Sequence, residues 1–270
     1  MSVIEINNLT RDYGGERGVF ALSFKVEQGE AFGFLGPNGA GKTTTIRHLM
    51  GFIRSQQGSV MISGKDCWRD SASIQKILGY IPGEISFFED MTGTEFIRFC
   101  AKYCGLRGEG RTKEMLDRFE LRPKGKIKKM SKGMKQKIGI VTAFMHNPEI
   151  LLLDEPTSGL DPLMQNRFIE LVQEEKKAGK TILMSSHMFE EVERTCDRIG
   201  IIRAGKLAAL DSTEALREKH LRSYTVTLAD EKTAAAFAGD FAGKPEGTRV
   251  TVSAKQTLEE IFLNYYGGDQ

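Results

Sequence analysis

The chain has 270 residues, of which 40% are hydrophobic and 27% charged, enough for a packed core and incompatible with wholesale disorder. Its 38 Lys and Arg against 36 Asp and Glu leave a formal net charge of +2, so no global field draws it toward nucleic acid. Four scattered cysteines, Cys67, Cys100, Cys104 and Cys196, make no disulfide framework and fit a reducing compartment. The opening MSVIEINNLT lacks the basic and apolar regions of a signal peptide, and no apolar run reaches the roughly 18–20 residues of a membrane span.

Strands are predicted at Val3–Ile6 and from Val19 to Val26, where β-branched and aromatic residues recur. The run Ala31-Phe32-Gly33-Phe34-Leu35 reads as a buried strand that enters a glycine-rich loop, Gly36 to Gly41. A helix follows from Lys42 or Thr43 with Ile46, Leu49 and Met50 on one face. Further strands are predicted at Ser59–Ser63 and Leu78–Ile81, the latter stopped by Pro82-Gly83. Thr92-Gly93-Thr94-Glu95 has the form of a capping box and opens an amphipathic helix with Phe96, Ile97, Phe99, Cys100 and Tyr103. Residues of about 84–140 therefore read as a mostly helical insert in an α/β domain. The α/β alternation resumes with the strand Ile150–Leu153, a charged helix over Phe168–Lys177 and strands at Thr181–Ser186 and Ile199–Arg203. It predicts a mostly parallel sheet covered on both faces. From about residue 216 a small α+β appendage is predicted: strands at Tyr224–Leu228 and Arg249–Ser253, a helix near Ala234–Phe241, and a last helix with Leu258, Ile261, Phe262 and Tyr265 on one stripe.

The octapeptide Gly36-Pro37-Asn38-Gly39-Ala40-Gly41-Lys42-Thr43 matches G-x-x-x-x-G-K-[ST] between a strand and a helix. Glycines let successive backbone N–H groups converge on phosphate oxygens, and the following helix adds its positive dipole end. Lys42 is the candidate partner of the β- and γ-phosphates, Thr43 a Mg²⁺ ligand, and the stretch to Thr44 completes the nucleotide contacts. Asp154 and Glu155 end an apolar strand. Asp154 is the second candidate Mg²⁺ ligand, and Glu155 is placed to orient or deprotonate an attacking water.

A third motif, Met130-Ser131-Lys132-Gly133-Met134-Lys135-Gln136, resembles the signature of ABC ATPases. Pro156-Thr157-Ser158-Gly159-Leu160-Asp161 resembles the family's D-loop, Ser185-Ser186-His187 its switch histidine, and Tyr13 sits where the family places an aromatic on adenine. The resemblance covers residues of about 2–215. It implies an α/β P-loop NTPase core with a mixed sheet and a helical subdomain, over residues 1–215, followed by an accessory domain at 216–270. It further implies two nucleotide-binding subunits meeting head to tail, identical or not, so that Ser131 and Gly133 serve the nucleotide held by the partner. His187 would contact the γ-phosphate, and Asp161 would belong to the site through its loop. The family's Q-loop glutamine is replaced by Gly83; Glu84, one residue on, either takes over its metal contact or is a plain loop acid. His48, His146 and His220 read as structural.

The implied function is the ATP-hydrolysing subunit of a transporter, using ATP and Mg²⁺ and driving a separate transmembrane permease from the cytoplasmic face of the membrane. The signature SKGMKQK, the stretch DEPTSGLDP and the ending LEEIFLNYYG resemble ATPases that pair with ABC-2-type permeases, mostly exporters. The alternative is a non-transport relative acting on DNA or ribosomes, or a slow sensor; the chain shows no tandem domain, coiled-coil insertion or zinc module. The basic run Arg122–Lys129 has no interleaved aromatics and reads as a solvated loop, so no nucleic-acid partner is expected.

Overall fold

The computed structural model describes residues 1–219, 221–255 and 260–261. It divides into two compact units, Met1–Leu210 and Asp211–Gln270.

The first unit opens with the antiparallel pair β1 (Ser2–Asp12) and β2 (Gly18–Glu27), followed by β3 (Ala31–Leu35) and helix α1 (Lys42–Leu49). Next come β4 (Gln57–Ile62), the short β5 (Lys65–Asp66), one turn of helix α2 (Ser71–Ile74) and β6 (Leu78–Ile81). Helices α3 (Gly93–Tyr103), α4 (Gly110–Arg118) and α5 (Lys132–Phe144) form the predicted helical insert. The chain then alternates through β7 (Ile150–Asp154), α6 (Pro162–Lys177), β8 (Thr181–Ser186), α7 (Phe189–Thr195), β9 (Arg198–Arg203) and β10 (Lys206–Ser212).

These strands make two sheets. One runs β2-β1-β4-β5; the other runs β10-β9-β3-β8-β7-β6, in which each successive pair from β9 to β6 is parallel. The sequence predicts a mostly parallel sheet. The antiparallel strands instead separate into a sheet of their own, and burial shows why. The parallel strands β3, β7 and β8 are buried at every residue, whereas β2 alternates buried and exposed as a half-solvated antiparallel strand does. The core fills the space between the two sheets. Phe24 of β2 stacks on Phe32 of β3 at 5.0 Å, and Ile46 and Leu49 of α1 join the same cluster.

Local signals set the helix ends. The Thr92–Glu95 capping box forms with both of its hydrogen bonds, and α3 starts there. Helix α6 begins six residues before the predicted Phe168, because Asp161 caps it and Pro162 takes its first position, where a missing N–H costs nothing.

The second unit contains α8 (Thr213–Lys219), β11 (Leu221–Thr227), α9 (Glu231–Asp240), β12 (Lys244–Glu246) and β13 (Arg249–Lys255), with the sheet order β11-β13-β12. Ala234 and Ala238 of α9 pack on Val250. Of the predicted last helix only residues 260–261 are described, with Ile261 buried; Leu258, Phe262 and Tyr265, and likewise His220, lie outside the described residues.

Candidate nucleotide site

Between β3 and α1 the chain turns through the predicted phosphate loop. Gly41 caps α1 with φ at 112°, a backbone conformation that L side chains rarely adopt. A β-carbon there would fall 2.8 Å from Val19 Cγ1 and 3.1 Å from the Gly18 carbonyl oxygen. The loop is thus clamped to the start of β2. Tyr13 stands in the turn leading into that strand, its N–H donating to the Arg17 carbonyl at 2.8 Å. Its ring is 45% exposed, with the Arg11 guanidinium 5.2 Å from the centroid. Tyr13 is thus a half-exposed aromatic in the turn that leads into the strand against which Gly41 packs.

Lys42 is buried. Its Nζ donates to the carbonyls of Gly36 at 2.6 Å and Pro37 at 3.1 Å, and lies 3.3 Å from Glu155 Oε1. Thr43 and Thr44 follow on the first turn of α1 and are half-buried. Ala40 is locked at the loop apex, accepting from the Gly205 N–H at 3.0 Å. His48 hydrogen-bonds the Thr44 carbonyl and His146 the Leu78 carbonyl, which assigns both rings to structure; burial holds His48 below the usual imidazole range.

Asp154 ends β7, fully buried and in register with Ser185 of β8. The Ser185 hydroxyl donates to Asp154 Oδ1. Asp154 Oδ2 is buried and has no hydrogen-bond partner among the described residues. Leaving a buried acceptor unpaired costs about 1–3 kcal/mol, more when it is charged. A hard cation or its bound water would satisfy that oxygen, so the donor set fits Mg²⁺. A β-carbon on Gly83 would lie 3.1 Å from the same oxygen. Gly83 therefore abuts Asp154, while Glu84 is exposed.

Glu155 adopts φ of 47°, an uncommon value for a non-glycine residue. Its N–H is held by the Ser185 carbonyl at 3.1 Å and the Ser185 hydroxyl at 3.2 Å. The turned carboxylate then reaches Lys42 with Oε1 and His187 Nδ1 with Oε2, the latter at 3.1 Å. Lys42, Glu155 and His187 form one chain of contacts from the buried loop to a half-exposed imidazole.

Ser131, Gly133 and Asp161 lie apart from that chain. Ser131 is exposed and caps α5, its hydroxyl accepting from the Met134 N–H at 3.2 Å. A β-carbon on Gly133 would fall 2.7 Å from the Gly159 carbonyl oxygen. Gln136 donates to the Pro156 carbonyl at 2.6 Å, and Lys132 to the Ser158 hydroxyl at 2.8 Å. The start of α5 is thereby pinned to the segment that follows Glu155. Asp161 Oδ1 accepts from the Met164 N–H at 3.0 Å and caps α6.

Sequence reasoning missed Ser185, which braces both acids, and Glu191 of α7, which is only 2% exposed. Ser185 had a signal, its place two residues before His187; Glu191, one helical turn beyond His187 among other acids, had none.

The family model for ABC transporters matches residues 19–158, just over half of the chain. The chain belongs to the ABC transporter family. This ABC ATPase is 39% identical over 213 residues to the linearmycin resistance ATP-binding protein LnrL of Bacillus subtilis, spanning 77% of the present chain and 68% of the relative. It is 36% identical over 236 residues to the bacitracin transport ATP-binding protein BcrA of Bacillus licheniformis, spanning 86% and 77%. A solved structure described as the ATP-binding subunit of an ABC transporter superposes with a TM-score of 0.77 at 28% identity, covering 98% of this chain and all of the other. The ABC ATPase thus binds and hydrolyses ATP as the energy-supplying subunit of a transporter, a reading favoured over the non-transport alternative on DNA or ribosomes. Among the described residues no helix is long and apolar enough to cross a membrane.

Proposed function

We propose that this subunit drives export through an ABC-2-type permease, working at the cytoplasmic membrane face as one of two nucleotide-binding subunits. The observation that carries the catalytic part is the single carboxylate, Glu155, shared between Lys42 and His187. Lys42 and the N–H groups of the loop from Gly36 to Thr44 bind the phosphates, and Tyr13 stacks on the base. Glu155 takes the proton of the attacking water, and His187 holds that carboxylate and the γ-phosphate in line. Thr43 and Asp154 would hold Mg²⁺, which neutralises charge on the phosphates. Glu84 joins them only if the loop after Gly83 turns inward.

Ser131 and Gly133, offered at the start of α5 away from Lys42, serve the nucleotide of the second subunit. Export is supported by the resistance and transport roles in the names of LnrL and BcrA, and antibiotics of those classes are the first substrates to test. A permease contact is supported by the aromatic ridge beyond Gly83, where Phe88 meets Phe99 at 5.7 Å and Tyr103 stands exposed.

The test is affinity purification of the tagged chain from detergent-solubilised membranes of its host. A co-purifying polytopic protein and a second ATPase subunit are the expected result. Recovery only from the cytosol with DNA or ribosomes would overturn the reading. In the same preparation Glu155→Gln should keep ATP bound and lose turnover.

A further inference from the structure

His187 sits at the apex of a turn whose two flanks are tied together. The Ser186 hydroxyl accepts from the Met188 N–H at 2.9 Å and donates to Glu191 Oε2 at 2.6 Å. A serine hydroxyl has one proton to give. The competing acceptor, the Met188 carbonyl, stands farther off at 3.4 Å, so the proton goes to Glu191. Ser186 and Glu191 are each 2% exposed, so this relay works where hydrogen bonds are strong and geometry is firm. Glu191 is in turn anchored at its backbone, its carbonyl accepting from the Thr195 hydroxyl at 2.7 Å.

We propose that Glu191 is a positioning residue for hydrolysis: through Ser186 it holds the turn that aims His187 at Glu155. The proposal rests on the assignment of His187 to the nucleotide site. Its geometric basis is continuous, from Glu191 Oε2 through Ser186 and the Met188 N–H to the residue between them, whose Nδ1 meets Glu155 at 3.1 Å.

A residue that only filled space would not be a carboxylic acid. The hydroxyls of Ser186 and Thr157 face the Glu191 carboxyl and favour its charged form. Burial, with a smaller contribution from the charge of Glu155, pushes the group up to about 7. It lines a small cavity of about 120 Å³ together with Thr157 and Gln165, so the relay also borders the segment that leaves Glu155. Placing an ionisable group there lowers stability, and the return is a fixed turn at the site.

The experiment is steady-state ATP hydrolysis by the full-length chain carrying H187A, E191A, E191Q, S186A or S186A/E191A. Misplacing a catalytic group by about 1 Å costs up to about a hundredfold, so E191A should lower kcat by about tenfold with KM for ATP within about twofold. E191Q, whose amide oxygen accepts the same hydrogen bond, should stay within about threefold of the parent. S186A should match E191A, and the double variant should be no worse than either, as members of one relay behave. An unchanged kcat in E191A overturns the proposal, as do S186A and E191A effects that multiply. If E191A does not fold, an unchanged kcat in S186A overturns it equally. Parent-like turnover by H187A would instead refute the assignment of His187 itself.

Discussion

Glu191 makes the stability of the first unit depend on pH in a way that one substitution removes. Its ordinary value of 4.5 is raised to about 7 in the folded chain, chiefly by burial. Below the unfolded value both states carry the proton and nothing is lost. Between 4.5 and about 7 the native state keeps a proton that the unfolded state has released. Each pH unit in that window therefore removes about 1.4 kcal/mol of stability, and above the folded value the loss is complete. Integrated from about pH 5.5 to about pH 8, the loss is about 2 kcal/mol. Gln in place of Glu keeps the bond from Ser186 and cannot ionise. Thermal unfolding of the parent and of Glu191→Gln, followed across that range, should diverge as pH rises, the variant gaining about 4–8 °C on the parent by the alkaline end. Other titrating groups act on both proteins and cancel in the difference. Parallel curves would refute the reasoning, since they would mean that the carboxylate is already solvated or paired in the folded chain.

Replacing Tyr13 by Ala should weaken ATP binding by about 1–2 kcal/mol while leaving inorganic triphosphate unaffected, as calorimetry would show; an equal loss for both would place the ring away from the base. Gly133→Ala puts a β-carbon 2.7 Å from the Gly159 carbonyl oxygen. It should destabilise the first unit by about 1–3 kcal/mol, read by urea denaturation, because backbone on both sides has nowhere to go. Glu84→Ala should raise the Mg²⁺ concentration for half-maximal hydrolysis; an unchanged Mg²⁺ titration removes Glu84 from the metal. Lys42→Ala should abolish tight ATP binding, since it deletes the charge proposed to meet the phosphates and takes the Lys42 ammonium away from Glu155.

The phosphate loop was legible because its chemistry is local: one loop, one strand before it and one helix after it fix both the conformation and the charge. The same holds for the strand ending in Asp154 and for the Thr92 capping box. Pairing was harder to read. β1, β2 and β4 are strand-like in sequence, yet only side-chain alternation on β2 distinguishes an antiparallel sheet from an extension of the parallel one. The place of Ser185 two residues before His187 was legible, but not its bracing of Asp154 and Glu155, which depends on β7 and β8 lying side by side in one register. Glu191 falls in a stretch for which the sequence predicts no element; the structure makes it helix α7, and the packing of that helix buries it. Asp161 was read through its loop, and the structure adds that its carboxylate caps α6.

The segment from Pro156 to Gly159 touches α5 through Gln136, Lys132 and Gly133, while its first neighbour is Glu155. In a two-subunit transporter this short bridge has an energetic consequence. Under the proposed head-to-tail pairing, a displacement of Glu155 during turnover would be passed through this segment to the surface that the same chain would lend to its neighbour's nucleotide. Two such sites would then be thermodynamically linked, and linkage is reciprocal: if filling one alters affinity at the other by some factor, the reverse effect has the same size. Cooperativity between the two ATP molecules would thus be carried within each chain by four residues of backbone, before any contact between the chains is counted.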